Sequence, residues 1–325
     1  MGALTMEHYI KDGDGSSRGT DSRRQSLITL TGLHPQIHVI GIVFNPVTFG
    51  GRSVGRMRHA LELLDAKGVE YVYRETACEG DAVRISAELA DSCDVIVAAG
   101  GDGTVYEVVN GVYDKDVAIM VFTYGSGNDA GRSIGLEGMT DEQLVDVLLA
   151  GKVRTMDYLV TNGKERSVVH SCVGIVSNVI RDFKDPDNAR KSYMSTMLRS
   201  VRQSRPRRYR IRTANVDREF FSDFISAENV VTSGGGMVLT PHSDDNDGKF
   251  ELLVMEHRNV VRKYLNLLAL SRKKLTKQPN VYLESTDRVE ITALDGEEIC
   301  SLDGELRSIT ELDVEIGGKI RVISP

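Results

Sequence analysis

Residues Asp94–Gly111 read DVIVAAGGDGTVYEVVNG, and this stretch decides the fold of the N-terminal half. The apolar run Val95–Ala99 is typical of a buried strand. The glycine-rich stretch Gly100–Gly103 predicts a sharp turn, in which the backbone can approach a ligand because glycine carries no Cβ. A helix follows, and the spacing of Thr104 and Glu107 matches a capping box, which predicts that the helix begins at Thr104.

Such a turn predicts an anion site, because the free N–H groups of the turn and of the helix N-terminus point at one ligand. An acidic residue inside an anion site is explained if a cation accompanies the anion. Asp102 therefore indicates phosphate together with Mg²⁺, as in a bound nucleotide. The alternative is an ordinary strand-to-helix turn.

The bulk composition excludes several classes of protein. The 325 residues are enough for two domains. A net charge of -7 and the absence of tryptophan argue against a nucleic-acid partner. The four cysteines lie far apart, which favours reduced thiols in a cytoplasmic protein. We see no apolar run long enough to span a membrane, no secretory signal and no zinc-ligand spacing.

Residues 1–36 are polar and rich in glycine and serine, and we predict a disordered extension. Residues 37–156 alternate strands with helices, which predicts an α/β domain with a parallel sheet. The predicted strands are Val39–Phe44, Val69–Arg74, Val95–Ala99 and Val117–Phe122, and the longer helices are Ser53–Lys67, Asp81–Ala90 and Asp141–Ala150. Glycine turns follow three of these strands, at the sheet edge where ligands bind in such folds.

Residues 157–325 are dominated by strands, which predicts a mainly antiparallel β domain with a sandwich-like form. The predicted strands are Asp157–Thr161, Ser167–Val173, Arg207–Thr213, Glu219–Asn229, Phe250–Met255, Val281–Thr286, Arg288–Ala293 and Lys319–Ile323. Two helices interrupt them, Ala189–Gln203 and Asn259–Lys274. We expect the ligand site at the mouth between the domains, and the C-terminal segment could pack back on the first domain.

No Walker A motif, protein-kinase motif set or dinucleotide fingerprint is present. Instead, Asn45–Gly51, Gly100–Thr104, Gly125–Asp129 and Ser301–Glu305 match four motifs of one family in order, N-P-x-S-G-G, G-G-D-G-T, G-T-G-N-D and D-G-E. Asn246–Phe250 resembles a further family element. The chain thus resembles the diacylglycerol kinase catalytic domain family, which includes the soluble bacterial lipid kinases and is related to the sphingosine and ceramide kinases.

The resemblance implies ATP-dependent phosphorylation of a lipid hydroxyl, with ATP and Mg²⁺ as cofactors. It assigns Asp102 to the metal. The residues that it places on the nucleotide are Asn45, Thr48, Gly100, Gly101, Asp102, Gly103, Thr104, Gly125, Ser126, Gly127 and Asn128.

The resemblance also supplies the catalytic acids. We predict Asp303 as the general base, with Glu305 beside it if this stretch is a strand, and Asp129 as a further active-site acid. A surface Asp-Gly turn and a helix N-cap are the alternatives for Asp303 and Asp129. Leu294–Glu297 repeats the letters of the D-G-E motif, and we interpret Asp295 as a hairpin turn.

A second, structural Mg²⁺ site is implied at Asp244, Asp247 and the carbonyl of Lys249, with Asp157 linking it to the active centre. A solvated acidic turn is the alternative. Asn178 and Asn246 stand where the family has acids. Two other functions stay open: an NAD kinase, which shares the G-G-D-G-T motif, and a catalytically silent nucleotide or lipid sensor, which these departures suggest.

The expected partners are a lipid substrate and a membrane surface, which would make this a cytoplasmic protein with peripheral membrane association. A homodimer is left open. Seven arginines between residues 199 and 212 could meet anionic lipid or form a solvated strand face. The helix at 259–274 could lie on a membrane, although we expect it to be buried in the β domain.

Overall fold

A computed structural model describes residues 39–184, 198, 199 and 201–325. The predicted extension at residues 1–36 and most of the predicted helix at 189–203 lie outside the described residues. The rest falls into an α/β half and a β-rich half, which confirms the predicted fold class.

The N-terminal half is a parallel sheet covered by helices. Its strands are β1 (Ile40–Phe44), β2 (Tyr71–Glu75), β3 (Val95–Gly100) and β4 (Ala118–Thr123), in the order β2-β1-β3-β4. Its helices are α1 (Ser53–Ala66), α2 (Asp81–Leu89), α3 (Asp102–Val112), α4 (Asp129–Ser133) and α5 (Asp141–Ala150). Every residue of β1, β3 and β4 is buried, which explains their nearly continuous apolar sequences.

One helix boundary predicted from the sequence is wrong. Helix α3 begins at Asp102, and Glu107 does not close a capping box with Thr104. The Glu107 carboxylate instead accepts hydrogen bonds from the backbone N–H groups of Gly80 at 2.9 Å and Ala82 at 3.0 Å. A glutamate three residues after a threonine can thus satisfy the start of the neighbouring helix, α2, which the local pattern does not reveal.

The C-terminal half is mainly antiparallel. Its strands are β5 (Val153–Thr161), β6 (Glu165–Ser167), β7 (His170–Gly174), β8 (Arg207–Arg212), β9 (Asp217–Glu228), β10 (Thr232–Ser233), β11 (Met237–Val238), β12 (Phe250–Glu256), β13 (Val281–Thr286), β14 (Arg288–Ala293), β15 (Glu298–Leu302), β16 (Glu305–Ile309) and β17 (Glu311–Ile323). Its helices are α6 (Ile175–Lys184) and α7 (Val260–Ser271).

The last strand joins the two halves. β17 pairs in parallel with β4 and antiparallel with β5 and β14. Among the described residues, one sheet therefore runs without a break in the order β16-β15-β7-β9-β8-β14-β17-β4-β3-β1-β2. This sheet fixes the position of the C-terminal strands relative to the glycine turns after β3 and β4.

Several C-terminal elements differ from the predictions. The predicted strand at 167–173 is broken into β6 and β7, and the sequence analysis did not identify β15, β16 or α6. Helix α7 is present, but five of its apolar residues are exposed, so the expectation that these are buried in the β domain is wrong. They are Val260, Val261, Tyr264, Leu265 and Leu268. No helix in the described part of the chain is long and apolar enough to cross a membrane.

Candidate active site

Two glycine turns touch each other at the carboxyl edge of the parallel sheet. Gly101 follows β3 and Gly125 follows β4, and a Cβ on Gly125 would lie 2.4 Å from the Cα of Gly101. A Cβ on Gly100 would lie 2.3 Å from Oγ1 of Thr104, which is buried. No side chain fits at such distances, so these glycines are required for the approach of the two turns.

The second turn is closed by its own asparagine. Oδ1 of Asn128 accepts a hydrogen bond from the N–H of Gly125 at 2.9 Å, and Nδ2 of Asn128 donates to the carbonyl of Gly125 at 2.9 Å. Asn128 has a φ of 54°, a conformation that asparagine tolerates better than most residues. The structure thus gives Asn128 a role in shaping the turn, and Ser126 is exposed at its tip.

Asp102 lies between the two turns and carries negative charge that its surroundings only partly balance. Its Oδ1 accepts a hydrogen bond from the N–H of Ala130 at 3.2 Å, and a Cβ on Gly127 would lie 2.5 Å from its Oδ2. Desolvation, followed by repulsion from Asp129, raises the pKa of Asp102 to about 6. Such a carboxylate fits a divalent cation, since a positive charge would relieve both penalties.

A cavity of about 360 Å³ opens beside the first turn. Its walls come from the three segments that follow β1, β2 and β3 at the sheet edge and from one hairpin of the C-terminal half. The lining residues are Asn45, Val47, Thr48, Thr76, Ala77, Cys78, Glu79, Ala82, Gly101, Gly103, Thr104, Glu107 and Glu305. The sequence analysis missed the loop at 76–79, although it follows β2 at the same edge, because it carries no glycine pair.

The loop after β1 has an unusual backbone. Thr48–Gly51 form a 3₁₀ turn, in which Phe49, Gly50 and Gly51 have φ values of 53°, 65° and 80°. Glycine adopts this region freely, whereas an aromatic residue there is strained. Asn45 supports the loop, because its Oδ1 accepts a hydrogen bond from the N–H of Val47 at 3.2 Å.

Asp129 connects the site to the C-terminal half. Its Oδ2 accepts a hydrogen bond from the N–H of Gly235 at 2.7 Å, its Oδ1 accepts one from Gly236 at 2.8 Å, and Arg132 forms an ion pair with it. Burial raises the pKa of Asp129. The glycines at 234–236 are a signal that the sequence analysis did not use, and their positive φ values allow two successive amides to reach one carboxylate.

Asp303 is buried, and its carboxylate already accepts hydrogen bonds from three backbone amides. Its Oδ2 accepts a hydrogen bond from the N–H of Val168 at 2.7 Å, and its Oδ1 accepts bonds from Val169 at 2.9 Å and His170 at 2.8 Å. Desolvation raises its pKa to about 7, with a contribution from Asp102, against the lowering effect of these amides. Asp303 thus lies near Asp102 but does not line the cavity.

Glu305 is the acid of the D-G-E motif that lines the cavity. Asp303 and Gly304 form the turn between β15 and β16 with φ values of 49° and 97°, so the condition that this stretch is a strand is not met, and the alternative of an Asp-Gly turn holds, although Asp303 is buried. The turn separates the two acids, and a Cβ on Gly103 would lie 3.0 Å from Oε1 of Glu305. Asp295 also lies in a turn, as predicted, but it is exposed and pairs with Arg208.

The acidic loop predicted as a second metal site is held by internal hydrogen bonds. Oδ1 of Asp244 accepts one from the N–H of Asn246 at 3.1 Å, and Oδ1 of Asp247 accepts one from the N–H of Lys249 at 2.9 Å. In the described part of the chain, no three histidine, cysteine, aspartate or glutamate side chains converge as a metal-binding group.

A lysine supplies a positive charge beside that loop. Nζ of Lys319 lies 2.7 Å from Oδ1 of the fully buried Asp157 and donates a hydrogen bond to the carbonyl of Asn246 at 2.8 Å. Oδ2 of Asp157 accepts a hydrogen bond from the N–H of Gly248 at 2.7 Å. The ammonium group thus neutralises the acid that the sequence analysis linked to the second metal.

A buried polar cluster lies behind Asp303. Glu228 is fully buried, accepts a hydrogen bond from the Ser226 hydroxyl at 2.6 Å, and has no hydrogen-bond partner at its Oε2. Burial is the main cause that raises its pKa to about 8, and Asp129 and Asp303 raise it further. His170, opposite Glu228 in the sheet, has a pKa lowered to about 4 by burial. The sequence analysis gave no role to these residues.

Comparison with known proteins identifies two consecutive domains. Residues 39–161 match the diacylglycerol kinase catalytic domain, and residues 167–323 match the YegS C-terminal NAD kinase beta sandwich-like domain. The chain is 26% identical over 277 residues to a diacylglycerol kinase of Bacillus subtilis (strain 168), covering 79% of this chain and 88% of that protein.

A second relative and a solved structure agree with these matches. A YegS-like lipid kinase of Klebsiella pneumoniae (strain 342) is 25% identical over 262 residues, covering 77% of this chain and 86% of its own length. The crystal structure of a diacylglycerol kinase from Bacillus anthracis str. Sterne superposes with a TM-score of 0.74 at 18% identity, covering 89% and 98% of the two chains. At this identity, the superposition shows a shared fold.

Proposed function

Because this chain belongs to the family in which a diacylglycerol kinase catalytic domain is followed by a YegS C-terminal domain, we propose that it transfers the γ-phosphoryl group of ATP to a lipid hydroxyl. Diacylglycerol or a related lipid alcohol is the proposed acceptor. The observation that carries the proposal is the position of Glu305, an acid of the C-terminal half, against Gly103 in the turn that opens α3.

The nucleotide side of the proposed site is built from backbone amides. Gly101 occupies the N-cap position of α3, an eleven-residue helix, and the first N–H groups of a helix have no partner within it. These groups and the helix dipole favour the phosphates of ATP. Thr48 and Asn45 line the same cavity from the loop after β1.

A divalent cation would be held by Asp102. The raised pKa of this carboxylate reflects burial and the nearby Asp129, and a metal ion would offset both. When bound, Mg²⁺ neutralises charge on the phosphate oxygens. Asp129 is a positioning residue in this proposal. Its carboxylate binds two backbone amides of the turn at 234–236, and this contact holds the C-terminal half against α4 and the glycine turns.

Glu305 is the proposed general base. A carboxylate within hydrogen-bond reach of the lipid hydroxyl can accept its proton as the oxygen attacks phosphorus. Asp303 is then a positioning residue: its three amide hydrogen bonds hold the turn at 168–170 against the hairpin that carries Glu305. Phosphoryl transfer depends on such positioning more than on covalent participation of the protein.

The direct test is transfer of label from ATP to lipid. Purified protein, labelled ATP and Mg²⁺ are incubated with mixed micelles of diacylglycerol, monoacylglycerol, sphingosine or ceramide, and the lipids are separated by thin-layer chromatography. We expect a labelled product with at least one glycerolipid and none with Asp102→Ala.

A parallel assay with NAD as the acceptor tests the two alternative functions. NADP formation without a lipid product would identify an NAD kinase. Binding of ATP without any product would identify a silent binding protein, the alternative raised by Asn178 and Asn246. Either result would overturn the proposal.

A further inference from the structure

The inward side of helix α7 holds Lys263 and Asn266, which are 5% and 3% exposed, together with the buried Ala269 and the partly buried Leu267 and Leu270. The other valines and leucines of the helix, with its tyrosine, lie on the outer side and are among the exposed large apolar side chains that the structure describes. We call this exposed set the docking face: Val260, Val261, Tyr264, Leu265 and Leu268, with exposed fractions between 38% and 68%. Soluble proteins rarely expose such a contiguous apolar surface without a partner.

The inward contacts of α7 fix this orientation. Nζ of the buried Lys263 lies 2.8 Å from Oδ1 of Asp223 and donates a hydrogen bond to the carbonyl of Ser204 at 2.8 Å. Nδ1 of His257 lies 2.9 Å from Oδ2 of the same aspartate. Rotating the helix to bury the docking face would break a buried ion pair, which is strongly unfavourable. The docking face therefore remains outward in the folded protein.

Charge around the docking face is of one sign. Residues 257–283 contain seven lysines and arginines and no aspartate or glutamate, in a chain whose net charge is -7. In the described part of the chain, no ion pair forms at five of these basic residues, namely Arg262, Arg272, Lys273, Lys274 and Lys277. An apolar surface bordered by unneutralised positive charge complements an anionic lipid surface.

In the other basic segment of the chain, the arginines of β8 are neutralised. Along β8, Arg207 pairs with Glu298, Arg208 with Asp295, and Arg210 with Asp217. The structure thus favours a salt-bridged strand face for these arginines.

We infer that α7 is a membrane-docking helix, which inserts its docking face among the acyl chains of an anionic bilayer while the flanking lysines and arginines bind lipid phosphates. The inference deepens the proposed function, because a kinase that acts on a lipid must reach a bilayer. Helix α7 also packs against β11, and the glycines that bind Asp129 immediately precede β11. A bilayer on the docking face would thus contact a helix that packs beside the turn that binds Asp129.

Binding to vesicles tests the inference without ATP. The full chain is sedimented with vesicles of phosphatidylcholine alone or of phosphatidylcholine mixed with phosphatidylglycerol. We expect binding to the mixed vesicles, a loss of at least about tenfold for Leu265→Glu, and a smaller, salt-sensitive loss for Lys273→Glu.

Matched controls separate the docking face from general effects of charge. Val54→Glu places the same charge on an exposed apolar position of α1, and Arg58→Glu makes the same charge reversal on that helix. Both should bind like the unmodified chain. Equal losses in the controls and the α7 variants, or equal binding to both vesicle types, would overturn the inference.

A tryptophan reporter measures insertion directly, because the chain has no tryptophan of its own. Leu268→Trp should show a blue-shifted emission and quenching by brominated acyl chains on anionic vesicles, whereas Val54→Trp should show neither. An unshifted spectrum for Leu268→Trp on vesicles that carry the protein would exclude insertion of α7.

Two further measurements distinguish other outcomes. If the docking face joins two copies of the chain, sedimentation velocity without lipid will give a dimer that Leu265→Glu dissociates, and the membrane inference fails. If vesicle binding is lost in Leu265→Glu but no lipid is ever phosphorylated, the docking inference stands and the proposed kinase activity fails.

Discussion

The D-G-E motif illustrates what single residues contribute. The motif predicted two acids near the active site, and the structure places both Asp303 and Glu305 on one hairpin turn. The sequence analysis chose Asp303 as the general base, because no local pattern reveals that the amides of residues 168–170, more than 130 positions away, bind its carboxylate. Burial and hydrogen bonding support the positioning role proposed for Asp303, and its place in the cavity wall supports the role of general base proposed for Glu305.

We therefore expect Glu305→Gln to lose turnover and Asp303→Asn to lose stability. The Glu305→Gln side chain has the same shape but cannot accept a proton, so we expect turnover to fall by about 10²–10⁴ with nucleotide affinity unchanged. Asp303→Asn loses an acceptor for one of three buried amides, so the free energy of unfolding should fall by about 1–3 kcal/mol. Steady-state kinetics measures the turnover, and chemical denaturation measures the free energy of unfolding. A stable, inactive Asp303→Asn beside an active Glu305→Gln would reverse the roles.

Glu228 makes stability depend on pH. Its pKa of about 8 in the folded protein lies far above that of an unfolded glutamate, so the folded state binds more protons between about pH 4.3 and 8. The free energy of unfolding should then fall as pH rises through this window. Glu228→Gln removes this dependence, because glutamine does not titrate.

We expect Glu228→Gln to match the unmodified chain near pH 5 and to exceed it by about 1–3 kcal/mol at pH 8, since one pKa unit corresponds to about 1.4 kcal/mol. Thermal melting across this range measures the difference. Glu62→Gln, on the exposed side of α1, is the control. A difference that stays constant with pH would show that Glu228 is ionised in the folded protein.

At the scale of elements, the sequence predicted the α/β half better than the β-rich half. Strands β1, β3 and β4 are buried on both faces, so each has a nearly continuous apolar sequence. Helix α5 has the predicted bounds, and in the structure Thr140 and Gln143 form a capping box at its start and Gly151 ends it. Strands β15 and β16 mix polar and apolar residues, and only pairing with β7 and with each other defines them. The orientation of α7 likewise depends on Asp223, which no local pattern contains.

The contact between the two glycine turns gives a prediction at this scale. In Gly125→Ala, the new Cβ meets the Cα of Gly101 at 2.4 Å, so the turns must separate. We expect a loss of stability of about 1–3 kcal/mol, as for other overpacked sites, and ATP affinity weakened at least about tenfold. Calorimetric titration and thermal melting measure the two effects.

Gly55→Ala is the matched control for that substitution. Gly55 lies inside α1, where a new Cβ meets no atom within 4 Å. Alanine there should stabilise the protein by about 0.5–1 kcal/mol and leave ATP affinity unchanged. If both alanine variants bind ATP equally well, the turns do not form the phosphate site.

For the whole molecule, the continuous sheet predicts cooperative unfolding. Ile320, Val322 and Ile323 of β17 lie in the hydrophobic core of the N-terminal half, while Leu312 and Val314 of the same strand lie in that of the C-terminal half. Neither half can lose its structure without exposing part of a strand that the other half needs. We therefore expect one calorimetric transition, with equal calorimetric and van't Hoff enthalpies, although the chain carries two domains.

ATP binding provides a second test of cooperative unfolding. ATP contacts the N-terminal half in the proposed site, yet it should raise the melting temperature of both halves together, because stabilisation by binding acts on the whole cooperative unit. Hydrogen exchange resolved by peptide checks this: amides of β12 and β13, far from the glycine turns, should become slower in step with those of β3 and β4. Two separate transitions, with protection confined to the N-terminal half, would show that β17 joins the halves without coupling their stability.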